Sequence, residues 1–290
     1  MVTSKYFAPK TIEEASYLLD KYGNRAKIIA GGTDLLRQIK SNTILPRFII
    51  SMGGIPALNS ISHDKVSGTR IGALATVDSI SKSPPMRSYL NVLSQAAGML
   101  GTPTIRAQAT IGGNLCNASP SADVATALLV LDAKIKIVGT EGERIVSIDD
   151  FFTGPGETIL RQNQIVTEIQ IPNLPPQCGT AYEKQTRRQG ADLAIVGVAV
   201  LVVMQGDVST DVKIGMGAVA PIPIRAKHAE EILKGKKLED KLLEEASKAA
   251  SDESKPIDDI RGNADYRKKV VAALVKRAVR QAAEYARTEE

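Results

Sequence analysis

The stretch ATIGGNLCNASPSAD, residues 109–123, gathers two glycines, two asparagines, two serines, a proline and an aspartate. Turn formers at this density suit a surface loop, although a single asparagine would serve that purpose. The same residues also suit a ligand that carries phosphates and hydroxyls. Thr110 offers a hydroxyl, Gly112 and Gly113 expose backbone, Asn114 and Asn117 both donate and accept, and Asp123 accepts. Composition leaves both readings open, and a phosphate cradle would need a second loop facing this one.

A second loop of the right kind is IIAGGTDLL, residues 28–36. It follows a short apolar strand candidate, AKIIA at 26–30, and leads into a helical turn from Thr33. Gly31 and Gly32 permit a tight turn and remove side chains that would block a ligand, while amide groups entering the helix can meet phosphate oxygens. A tight strand-to-helix connection would read the same way. The spacing is neither GxGxxG nor GxxxxGK[ST], and Asp34 lies too near the glycines to be the ribose-binding acid of a nicotinamide domain.

The totals narrow the classes. At 290 residues, two domains are expected, and 43% hydrophobic with 24% charged residues describes a folded chain. Aromatics are 4% with no Trp, so the core is aliphatic and base-stacking platforms are not expected. The net charge of +5, from 37 basic and 32 acidic residues, is spread along the chain, which argues against nucleic-acid binding. Two cysteines, Cys116 and Cys178, and two histidines, His63 and His228, are too few for an iron–sulfur cluster or an internal zinc site. Any redox chemistry therefore has to come from a bound cofactor. LAIVGVAVLVVM, residues 193–204, is too short for a membrane span and reads as a buried strand. No secretory signal is visible, and a cytoplasmic location is expected.

Along the chain, TIEEASYLLDKY at 11–22 predicts a helix capped by Thr11, with Glu14 at the reciprocal position. Strands are expected at 48–50, 134–138 and 165–171, with a strand turning into a helix over 69–80 and helix over 86–98. Residues 99–118 read as irregular, and a helix is expected after them with Ser119 as cap and Pro120 in its first position. Proline density at PNLPPQCG, 172–179, marks a domain boundary. Beyond it, strands at 193–203 and 211–219 and helices near 226–234, 238–250 and 265–288 predict a sheet covered by helices.

AGGTDL at 30–35 together with TIGGNLCNASPSAD at 110–123 resembles the FAD-binding subunit of the molybdenum hydroxylase family. The likeness continues through AYEKQTRRQGADLAIVGVAV at 181–200, KIGMGAVAPIPIRAKHAEEIL at 213–233 and the segment beginning DDIRGNADYR, and so covers nearly the whole chain in the family's order. It implies an α+β architecture: a two-part FAD-binding domain of the vanillyl-alcohol-oxidase type over 1–175, with subdomains of about 1–55 and 56–175, then a C-terminal domain with an antiparallel sheet and helices over 176–290. It implies FAD held by Ile29, Ala30, Gly31, Gly32, Thr33, Asp34, Leu35, Thr110, Ile111, Gly112, Gly113 and Asn114, with Asp123 near the adenosine end. Leu100 and Val166 would line the pocket, and Lys184 would contact FAD from the second domain's first strand. No residue is assigned as catalytic or metal-binding.

The implied function is electron transfer within a heteromeric enzyme. A small partner would carry two [2Fe–2S] clusters, a large partner the molybdenum-pterin cofactor, and an external acceptor would take electrons from FAD, in an assembly expected to be a dimer of heterotrimers. A self-contained FAD oxidoreductase of the wider fold and a non-catalytic subunit are the alternatives. Two departures from the family pattern, Cys116 in the second loop and Ala107–Gln108 after Arg106, leave the glycine cradle intact but weaken assignment to any substrate branch.

Overall fold

A computed structural model describes residues 4–188 and 190–288. The chain opens with β1 (Lys5–Phe7), α1 (Ile12–Tyr22), β2 (Ala26–Ile29), α2 (Leu35–Lys40) and β3 (Phe48–Ser51). The strands form a parallel sheet in the order β1-β3-β2. The Thr11 hydroxyl accepts from the Glu14 amide as the sequence predicts, and the Glu14 carboxylate reaches back to the Lys10 amide. Ala15 and Leu19 of this helix pack with Ile50 and Met52 in a small core that also takes in Leu58, Leu74 and Ile165.

The second part contains β4 (Ile61–Asp64), β5 (Gly68–Gly72), α3 (Val77–Lys82), α4 (Pro84–Tyr89), α5 (Asn91–Met99), α6 (Pro103–Gln108), α7 (Ile111–Asn117), α8 (Asp123–Val130), β6 (Lys134–Gly139), β7 (Gly142–Ser147), β8 (Phe152–Gly154), β9 (Glu157–Thr158) and β10 (Ile165–Ile171). An antiparallel sheet runs β4-β5-β10-β6-β7, with β8 and β9 paired apart from it. Two expectations need correction here. Residues 99–118, read as irregular, hold two short helices, each capped by a threonine hydroxyl: Thr102 accepts from Ile105, and Thr110 from Gly113. The next helix starts at Asp123, with Ala122 rather than Ser119 at its cap. Ser119 is taken up in a turn, where its carbonyl accepts from the Ala122 amide, and the Pro120 carbonyl accepts from Ala218.

The third part is β11 (Cys178–Gln185), β12 (Val196–Gln205), β13 (Val208–Gly217), β14 (Ile224–Arg225), α9 (Lys227–Leu233), β15 (Lys236–Lys237), α10 (Asp240–Glu253) and α11 (Ala264–Thr288). Its antiparallel sheet runs β11-β12-β13-β14, with β15 on β13. The uninterrupted apolar run in β12 has a direct cause: both faces are covered. Val196, Val198, Val200 and Val202 join a core with Val271, Leu274 and Ala278 of α11, whereas Ala199 and Leu201 join the central core with residues of α5 and α8. A strand buried on both sides has no reason to alternate. Among the described residues, no helix is long and apolar enough to cross a membrane.

Close packing of α11 depends on small residues. A Cβ at Gly179 on β11 would lie 1.9 Å from the Ala282 carbonyl oxygen. Nearer the start of the same helix, Arg267 is 2% exposed, donating to the Ile195 and Ala218 carbonyls at 2.9 Å each and pairing with Asp259 at 2.6 Å. Desolvation works against the Asp259 carboxylate, but the Arg261 amide and the Arg261 and Arg267 guanidiniums outweigh it and hold the pKa at about 2.

Two outcomes follow from this packing. Gly179→Val cannot be seated without moving α11, so urea unfolding is expected to show a loss of at least about 2 kcal/mol, the overpacking range. Because its folded pKa is depressed, Asp259 stabilises the fold above the ordinary carboxylate range, and that contribution is lost as pH falls from about 4 towards 2. Thermal unfolding of Asp259→Asn should give a lower Tm at pH 7 and a shallower decline over that acid window.

Candidate functional site

Two segments frame a cavity of about 730 Å³, a size suited to a cofactor-sized ligand. The first is the connection from β2 to α2. Gly32 adopts φ +74°, a left-handed conformation that glycine takes without strain, and faces the cavity. Gly31 serves a different purpose, since a Cβ on it would lie 1.8 Å from the Gln108 carbonyl oxygen, and here the first segment presses directly onto the second. The second segment is α7 with the turn before it. Gly112 lies where a Cβ would be 2.7 Å from the Ala73 Cβ, and the Gly113 amide donates to the Thr110 hydroxyl at 3.1 Å.

Of the residues expected at the site, Ala30, Gly32, Thr33, Asp34, Leu35, Leu100, Thr110, Gly112, Gly113, Asn114, Asp123 and Val166 line this cavity. Ile29, Gly31, Ile111 and Lys184 are not on its wall. Ile29 ends β2, Gly31 holds the two segments together, and Ile111 is fully buried in the central core. Sequence reasoning missed Ser119 and Ser121, which line the cavity within the quoted stretch, and Lys27 and Arg37, which flank the first glycine turn. It also missed Ala191, Asp192 and Leu193, which arrive from the C-terminal domain and carry no local motif.

The donor set fits a hydroxyl-rich phosphorylated ligand. Asn114 Oδ1 is buried on the cavity wall with no hydrogen-bond partner among the described residues, an acceptor left for a ligand donor. Cys116 opens onto the same space. Its surroundings desolvate the thiol and push its pKa up to about 12, so the sulfur stays protonated. Cys116 is exposed and lines the cavity.

Asp123 at the start of α8 is joined to the C-terminal domain. Its Oδ1 accepts from the Tyr182 hydroxyl at 2.6 Å and its Oδ2 from the Lys184 ammonium at 2.9 Å; both donors come from β11. The Lys184 and Asp123 side chains are 4% and 5% exposed. Burial pushes the Asp123 pKa up, and the charge of Lys184 together with the two hydrogen bonds opposes that shift. Lys184 also donates to the Met99 carbonyl at 3.0 Å. Its ammonium thus bridges Asp123 and the Met99 carbonyl, and Lys184 itself is not among the residues lining the cavity.

Comparison with known proteins assigns this arrangement to a class. Residues 2–174 match the family described as FAD binding domain in molybdopterin dehydrogenase, and residues 181–282 match the CO dehydrogenase flavoprotein C-terminal domain. The chain belongs to the FAD-binding medium subunits of the molybdenum hydroxylase family. Among its relatives, it is 33% identical to the carbon monoxide dehydrogenase medium chain of Hydrogenophaga pseudoflava, over 96% of each chain. It is 31% identical to the glyceraldehyde dehydrogenase medium chain of Sulfolobus acidocaldarius, over 96% of this chain and 98% of that one. The solved carbon monoxide dehydrogenase from Hydrogenophaga pseudoflava superimposes with a TM-score of 0.94, covering 97% of this chain and 98% of that one at 33% identity. Quinoline 2-oxidoreductase from Pseudomonas putida 86 gives 0.92 at 26% identity, covering 98% of each chain.

Lys184→Met would strand the buried Asp123 carboxylate and is expected to cost about 3–5 kcal/mol in chemical denaturation. Replacing both partners, Asp123→Leu with Lys184→Met, removes the uncompensated charge and should recover part of that loss, the remainder being the Tyr182 hydroxyl left without its acceptor. A double variant no more stable than Lys184→Met would show that the pair is not the source of the effect.

Proposed function

We propose that this chain is the electron-transfer flavoprotein of a heteromeric molybdenum enzyme in the cytoplasm. It would receive electrons from two [2Fe–2S] clusters on a small partner and pass them to an external acceptor. A large partner would carry the molybdenum-pterin cofactor and select the substrate, and the assembly would be a dimer of heterotrimers. Residues 1–175 would bind FAD, and 176–290 would form the C-terminal domain. The single observation that carries the reading is the cavity itself, where two glycine-containing segments meet backbone to backbone beside an unpartnered Asn114 acceptor. Support for partners comes from relatives matched along nearly their whole length and named as medium chains.

FAD supplies a group that takes up electrons singly and releases them in pairs. The chain's contribution is binding and orientation. Gly32, Thr33 and the Thr110–Asn114 segment would hold the diphosphate, with Ala30, Asp34 and Leu35 completing that wall. Asp123 would accept from the adenosine end, and Leu100 and Val166 would give the flavin an apolar surface that limits water. On this reading Ile29, Gly31 and Ile111 would complete the cradle from behind its wall, and Lys184 would contact FAD from β11, beside Asp123.

Purification of the native complex with quantification of flavin, iron and molybdenum tests the assignment. All three should copurify with this chain. A complex with flavin but without iron or molybdenum, or a lone chain that oxidises a substrate by itself, would favour a self-contained oxidoreductase. Within the site, Gly32→Val places a branched side chain at positive φ on the cavity wall and is expected to weaken FAD binding at least about tenfold, roughly 1.4 kcal/mol. Fluorescence titration of the deflavinated chain measures this, and an unaltered Kd in the folded variant would remove Gly32 from the cradle.

A further inference from the structure

We infer that Tyr182 is a positioning residue for the cofactor, acting through Asp123; the inference rests on the FAD reading of the cavity given above. A carboxylate offers about four lone-pair directions. In Asp123 two of these are used by β11, one on each oxygen, by the Tyr182 hydroxyl and the Lys184 ammonium. Among the described residues no other group donates to this carboxylate, and Asp123 lies on the cavity wall.

The two donors do different things. Lys184 supplies the opposite charge that works against the effect of burial on the carboxylate. Its flexible stem alone would leave the plane of the carboxylate poorly defined, whereas Tyr182 donates from a rigid ring. That ring is itself fixed: Tyr182 is 4% exposed, and its backbone amide donates to Gln95 Oε1 at 3.0 Å. On the neighbouring strand, Gly197 leaves room for the hydroxyl, because a Cβ there would lie 3.0 Å from it. Burial and the nearby Asp123 charge keep the phenol protonated, so it remains a donor. Together, the oxygens of Asp123 are aimed by a residue of the C-terminal sheet that is not itself on the cavity wall.

The test is a double-mutant cycle on FAD affinity. Tyr182→Phe removes one oxygen and keeps the ring, so the fold should be retained, as thermal unfolding without FAD will verify. In the full chain, stripped of flavin and titrated with FAD, Tyr182→Phe is expected to raise Kd about tenfold, the scale of a hydrogen bond to a charged group. In an Asp123→Leu/Lys184→Met background, the same substitution should change Kd less than about twofold, because nothing remains for it to aim. An unchanged Kd in the single variant, or equal losses in both backgrounds, overturns the inference while leaving the cavity assignment standing. Wild-type chain that takes up no FAD overturns both.

Discussion

The contact between Gly31 and the Gln108 carbonyl is the constraint on which the site depends. No atom larger than hydrogen fits at the Gly31 α-carbon on that side, because a Cβ would lie 1.8 Å from the oxygen. The parallel sheet and the α6–α7 connection can therefore approach to backbone distance. The cavity lies beside that contact, with Gly32 turned towards it and Asn114 reaching it from the opposite segment. One glycine of the first pair joins the walls and the other leaves room between them. A paired glycine thus has two separate physical reasons, only one of which concerns the ligand.

Much of this was legible from residue types. The Thr11 and Glu14 pattern marks the start of α1, the two apolar strands at 134–138 and 165–171 appear where expected, and the three C-terminal helices follow their periodicity. The segment 99–118 was harder, since glycine and asparagine argue against helix and the two threonine caps that outweigh them act over a single short helix each. Ser119 and Pro120 have the signature of a helix start, but tertiary pairing of the Pro120 carbonyl with Ala218 holds them in a turn. Local sequence cannot register a partner almost a hundred residues away.

The candidate site shows the same division. Residues of the two glycine segments could be read from sequence because their chemistry is local. Lys184 could be placed near the site only by resemblance, and its partners, Asp123 and the Met99 carbonyl, come from a different domain. Ala191–Leu193 fall within the 181–200 stretch that carries the resemblance but hold no local ligand-binding pattern, because their place on the wall comes from the packing of the C-terminal sheet against the first domain. The C-terminal sheet is therefore part of the site's construction, through a buried ion pair on one side and a stretch of wall on the other.

The protonated state of Cys116 bears on how long such a site survives its own chemistry. Peroxide and disulfide reagents attack the thiolate, and desolvation pushes the Cys116 thiol up to about 12, away from that form at neutral pH. On the proposed reading, a reduced flavin exposed to dioxygen would be a local source of peroxide, and a reactive cysteine on this wall would be a point of self-inflicted damage. Keeping the sulfur desolvated lets a small, polarisable side chain fill the space while remaining chemically quiet.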